Sequence, residues 1–269
     1  YSQGSLAPNL TSSWNTARTG ATGTAPTNFT TGDVFVIQNA HNMTTSATWS
    51  ISGTGSKLWI ESGGTLTASS AVTLSASTTF QIDANGTYVH NNTTAYGTSI
   101  FPSSGTRSFD AASTVVLNAT NSTPPANISF GNLTVNLTTS VGANWSWGGN
   151  LTTVNGNFTV TNTGANEMRI GASTSPTLTI GKDLIINGGT LNISSGAGAP
   201  TLNIGGNLNF SSGTLTSTGT GIPTIAFTGG TSSAVGLTLG GTYTNTNINW
   251  SIASGKTVGL NTNMGAGSL

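Results

Sequence analysis

The chain repeats itself, and a repeat of short alternating segments limits it to a few architectures. Thr177–Asn192 aligns with Thr201–Thr216, so that Leu178 falls over Leu202 and Ile180 over Ile204. In the same alignment Leu184 falls over Leu208, Ile186 over Phe210 and Leu191 over Leu215. Gly181 matches Gly205, and Gly189 matches Gly213. Upstream, Leu58–Leu66 aligns with Phe80–Tyr88, and Val154–Val160 aligns with Ile180–Ile186. Such a unit cannot bury its apolar side alone, so it must stack on copies of itself.

Within each unit apolar and polar residues alternate, which sends one set of side chains inward and the other outward. Gly-Gly, Asn-Gly and Ser-Gly pairs punctuate the strands where the chain must turn through positive φ. Thr, Val, Asn and Gly dominate, and no segment carries helical spacing with caps. These features predict an all-β parallel β-helix with coils of about 22–26 residues. The alternative is an antiparallel β-sandwich, which would show tight hairpins and no matched columns. The expected organisation is a lead-in or cap over 1–30, with Trp14 plugging the first coil, and a first solenoid segment over 31–121. A Pro-containing junction at 122–127 precedes a second segment over 128–269 that continues beyond this stretch of chain. The Tyr1 start fits a mature form left by signal cleavage.

Six basic and six acidic residues in 269 give zero net charge. Phosphate neutralisation needs a basic patch, so nucleic acid is not an expected partner. No apolar run is long enough to span a bilayer as a helix. The regular placing of Ile, Leu, Val and Phe argues against disorder. No cysteine is present and the two histidines are far apart, so neither metal nor cofactor is expected.

Three groups of residues are candidates for chemistry or recognition. Glu61 and Asp83 share a repeat column, and a carboxylate pair on neighbouring coils is what a glycosidase would use. No Lys or Arg shares that column, which favours two solvated turn residues instead. Trp145 and Trp147 alternate in Asn144-Trp145-Ser146-Trp147, so both rings lie on one face. Outward, they would form a ligand-binding platform; inward, they are core. Asn9, Asn28, Asn42, Asn92 and Asn118 begin Asn-X-Ser/Thr triplets, which accept glycans in some secreted proteins but also recur by chance in such a composition. Threonine columns, Thr65 over Thr87 and Thr190 over Thr214, suggest a hydroxyl ladder of the ice-binding type.

The runs Ser13–Ala17, Thr31–Ile37 and His41–Thr44 resemble the start of large Bacteroidota cell-surface proteins. Many of these are exported by the type 9 secretion system, gliding adhesins among them. Ser62–Thr67, Phe130–Val135 and Ile204–Leu208 are similar to the repeats that follow in such proteins. The resemblance implies an extracellular, non-catalytic adhesive or structural stalk segment held at the surface through a C-terminal sorting domain. It implies surface glycans, or the secretion and anchoring machinery at the outer membrane, as partners. It assigns no catalytic residue. The alternative readings are a carbohydrate-binding or carbohydrate-active β-helix module, a lyase or hydrolase, and an ice-binding module.

Overall fold

A computed structural model describes residues 1–92, 105–119, 126, 128–139, 144–229, 234–244 and 247–260. Most of the 122–127 junction and the C-terminal residues 261–269 lie outside the described residues. Two compact units emerge, Tyr1–Pro125 and Ala126–Leu269. Within each unit the described strand pairings are parallel, apart from one isolated antiparallel bridge between Ser2 and Trp14. The fold is thus a parallel β-helix, and the antiparallel sandwich is excluded. Among the described residues the helical content is one 3₁₀ turn, Thr11–Ser13.

In the first unit, three faces carry the coils. Val34–Ile37, Lys57–Ile60, Thr79–Ile82 and Thr106–Phe109 stack in one sheet. Asn42–Thr44, Thr65–Ala68, Thr87–His90 and Thr114–Ala119 stack in a second, and Trp49–Ile51 pairs with Val72–Leu74 in a third. Val34 pairs with Lys57 and Lys57 with Thr79, offsets of 23 and 22 residues. Phe35, Leu58 and Phe80 form one inward column, and Ile37, Ile60 and Ile82 the next, all at 2 % exposure or less. Each such side chain contributes about 1.5–3 kcal/mol by leaving water.

The lead-in closes the start of this unit. Trp14 stacks on Trp49 with ring centroids 5.4 Å apart and meets Phe35 edge-on at 5.2 Å. Its Nε1–H donates to the Pro8 carbonyl at 2.8 Å, so the buried indole keeps a polar partner. The Ser2 N–H donates to the Val36 carbonyl, and the Ser2 hydroxyl contacts His41 Nδ1 at 2.7 Å. Trp14 is therefore a plug, as the sequence predicts.

In the second unit, Ile128–Phe130, Leu151–Val154, Thr177–Ile180, Thr201–Ile204, Thr224–Phe227 and Asn249–Ile252 stack in one sheet. The predicted columns are present: Leu178 pairs with Leu202, Ile180 with Ile204, Leu184 with Leu208, Ile186 with Phe210 and Leu191 with Leu215. Val154 over Ile180, Phe158 over Leu184 and Val160 over Ile186 extend them by one coil.

A corner of this unit carries a side-chain ladder that the alignment of apolar residues does not reveal. Asn132 Oδ1 accepts the Asn157 N–H at 3.0 Å, and Asn157 Oδ1 accepts the Asp183 N–H at 3.2 Å. Asp183 Oδ1 accepts the Asn207 N–H at 2.7 Å, and Asn207 Oδ1 accepts the Gly236 N–H at 2.7 Å. Glycine precedes three of the four rungs, and Lys182 precedes Asp183. A Cβ on Gly156 would stand 2.3 Å from Asn132 Oδ1, and one on Gly206 would stand 2.3 Å from Asp183 Oδ1. The Gly-Asn-Leu motif is thus a corner whose amide satisfies the backbone of the next coil. Asp183 is thus a rung of this ladder, with a carboxylate in place of the amide.

Candidate functional site

The acidic residues show what chemistry is open to the chain. Ile60 pairs with Ile82, so Glu61 and Asp83, which follow them, share a column as expected. They are not a free carboxylate pair. Arg18, from the lead-in, reaches Glu61 with Nη1 to Oε2 at 3.0 Å and Nη2 to Oε1. The hydrogen-bonded Glu61 carboxylate holds the Arg18 guanidinium above its ordinary pKa. Asp83 Oδ2 accepts the Trp59 Nε1–H at 2.9 Å, and its Oδ1 accepts from Gln81 Nε2 at 2.6 Å. The column lacks a basic residue of its own, as the sequence indicates, but a segment outside the repeat supplies one.

The remaining acids are engaged in the same way. Asp33 takes the Thr31 hydroxyl, Asp110 the Ala112 N–H, and Glu167 both Arg169 Nε and Asn192 Nδ2. Among the described residues no three His, Cys, Asp or Glu side chains gather as a metal site, and no helix is long and apolar enough to cross a membrane.

Trp145 and Trp147 face inward, which corrects their candidacy as a recognition platform. They are 4 % and 1 % exposed. Trp145 heads an inward column over Met168, which in turn pairs with Leu191, and Leu191 with Leu215. The Trp147 ring meets Phe130 edge-on at 6.2 Å. No ring face remains for a ligand.

The glycan-acceptor candidates differ in access. Asn42 is exposed at the head of a strand, whereas Asn9 and Asn28 are half-buried and spend Oδ1 on Ser46 and Thr30 N–H groups. Asn92 commits Nδ2, the atom a glycan would take, to the Ala68 carbonyl at 2.9 Å. Asn118 is half-buried on the outward side of Thr114–Ala119. The threonine columns are real but single: Thr177, Thr201 and Thr224 align, while the neighbouring outward column runs Thr179, Asn203, Ala226. In the first unit Thr65, Thr87 and Thr114 align beside Thr67, Val89 and Val116.

One concave feature of the first unit was not anticipated. A groove of about 620 Å³ runs between the lead-in and the outer side of the first two coils. Val34 and Trp59 are its apolar side, and Tyr1, Thr16, Thr24, Thr27 and Asp33 also line it. The Thr16 and Thr24 backbones and the Thr16 hydroxyl are joined at 3.0 Å, which shapes the lead-in loop. Gly32, at φ 91°, turns the chain into the first strand; a Cβ there would meet the Thr54 carbonyl oxygen at 2.4 Å. Trp59 points outward because Leu58 and Ile60 point inward. Its ring is fixed by the Lys57 ammonium, 4.2 Å from the ring centroid, and by the bond from its N–H to Asp83. The signal in the sequence was an aromatic residue at an outward position of Lys57-Leu58-Trp59-Ile60. Comparison of the chain with protein-family models, with curated proteins and with solved structures finds no match.

Proposed function

We propose that this chain is a non-catalytic structural and adhesive segment of a protein displayed at the cell surface. The observation that carries the reading is that all six acidic side chains accept hydrogen bonds within the fold, while threonine columns run along the outside of both units. A hydrolase or lyase needs a carboxylate poised to exchange a proton with substrate. Here carboxylates are used as joints. The repeat itself, together with the likeness of Ser13–Ala17 and Thr31–Ile37 to surface proteins of the type 9 secretion kind, supports an extracellular setting.

The test has two arms. Antibodies raised against residues 1–269 should label intact cells of the source organism, and brief external protease should remove the label. Labelling seen only after permeabilisation overturns the location. Incubation with pectin, alginate and neutral polysaccharides should release no reducing or unsaturated ends. Turnover that disappears in Glu61→Gln or Asp83→Asn overturns the non-catalytic reading.

A further inference from the structure

We propose that the groove beside Trp59 binds a neutral oligosaccharide. A volume of about 620 Å³ lies within the range of small-molecule sites. Its composition is that of a sugar site: an aromatic ring for the C–H face of a pyranose, flanked by hydroxyls and a carboxylate for its OH groups.

Three observations make the groove more than a gap. First, the Trp59 ring is locked before any ligand arrives, by Lys57 on its π-system and by Asp83 on its N–H, so little ordering cost remains. Second, Asp33 is exposed and uses one carboxylate oxygen on Thr31; the other faces no protein donor and can accept a sugar hydroxyl. Third, Val34 is 47 % exposed on the same side, a large apolar residue left to water.

The electrostatics favour a neutral ligand. Neither Arg18 nor Lys57 is a lining residue: Arg18 is spent on Glu61 and Lys57 on the Trp59 ring, while the Tyr1 ammonium at the groove is bound to the Asn15 carbonyl at 2.6 Å, so no side-chain cation lines the groove to hold a uronate or sulfate. The unshared oxygen of Asp33 would repel one. The groove deepens the adhesive half of the reading above by naming its ligand class. Cell labelling tests where the protein sits and titration tests what the groove holds, so either can fail alone.

The experiment is a calorimetric titration of residues 1–269 with cellohexaose, xylohexaose and mannohexaose, and with hexagalacturonate and a hexameric alginate as anionic probes. At least one neutral hexasaccharide should bind saturably, with Kd on the order of 10⁻⁴ to 10⁻³ M. Asp33→Ala and the groove-filling Thr27→Trp should each weaken it by about tenfold or more, with the melting midpoint unchanged. Trp59→Ala should abolish it; should that variant unfold, the other two decide. Absence of saturable binding by all three neutral probes overturns the proposal. So does binding that survives both Asp33→Ala and Thr27→Trp, and so does tighter binding of either anionic probe.

Discussion

At the scale of single residues, the corners decide. Ala40, Gly63 and Asn85 occupy one corner position on successive coils, with φ of 62°, 77° and 61°. The sequence aligns Gly63-Gly64-Thr65 with Asn85-Gly86-Thr87, and both residues suit the left-handed region. Ala40 does not, and it holds that conformation at a cost of about 1 kcal/mol. Ala40→Gly should therefore raise stability by roughly 0.5–1 kcal/mol, read as a higher midpoint in urea; an unchanged or lower midpoint would show that the corner carries no strain. The ladder gives a second test. Asn157→Ala leaves the Asp183 N–H without its acceptor and should destabilise by about 1 kcal/mol, with Asn157→Asp intermediate because its carboxylate would face Asp183. Equal stability of wild type and Asn157→Ala would reduce the ladder to decoration.

At the scale of strands and columns, legibility follows repetition. Leu178 over Leu202 and Leu184 over Leu208 could be read directly because both the apolar phase and the turn glycines recur. Trp145 over Met168 could not, because a tryptophan is matched there by a thioether and the column is visible only once the register is known. Alternation placed Trp145 and Trp147 on one face but could not say which. Arg18 was illegible for a different reason: the lead-in has no repeat phase, so no column rule brings it to Glu61. Trp59 was legible in principle, since alternation with Leu58 and Ile60 sends it outward. Leu184 tests the column itself. It has no exposure, and Leu184→Asp would bury an unpaired charge between Phe158 and Leu208. We expect a loss of about 4 kcal/mol or more and broad loss of hydrogen-exchange protection over the neighbouring coils. Leu184→Met should cost under about 1.5 kcal/mol, and comparable losses in the two variants would mean that packing rather than charge burial dominates.

At the scale of the whole molecule, the scarcity of charge shapes the response to solvent. Between the described side chains the ion pairs are Arg18–Glu61 and Arg169–Glu167, both partly open to water. Such pairs contribute little, and backbone ladders and buried apolar columns are not screened by salt. The midpoint of urea unfolding should move by less than about 10 % between roughly 0.01 M and 0.5 M sodium chloride. A large shift would reveal electrostatic work that the geometry does not contain. The last strands of the second unit behave differently. Trp250 and Ile252 are 36 % and 53 % exposed beside an apolar hollow of about 300 Å³, and Leu260 is 56 % exposed. Neither Asn249–Ile252 nor Thr257–Leu260 carries a charge, the usual guard of a sheet edge.

The corner ladder of the second unit also has a direction. Asn132, Asn157, Asp183 and Asn207 each offer an oxygen to the coil that follows, and Asn207 Nδ2 also donates back to Asp183 Oδ1 at 3.2 Å. A chain delivered N-terminus first, from a ribosome or through a secretion channel, therefore meets at each new turn an acceptor already in place. Among the described residues the ladder closes on Gly236, which has no side chain to pass it on.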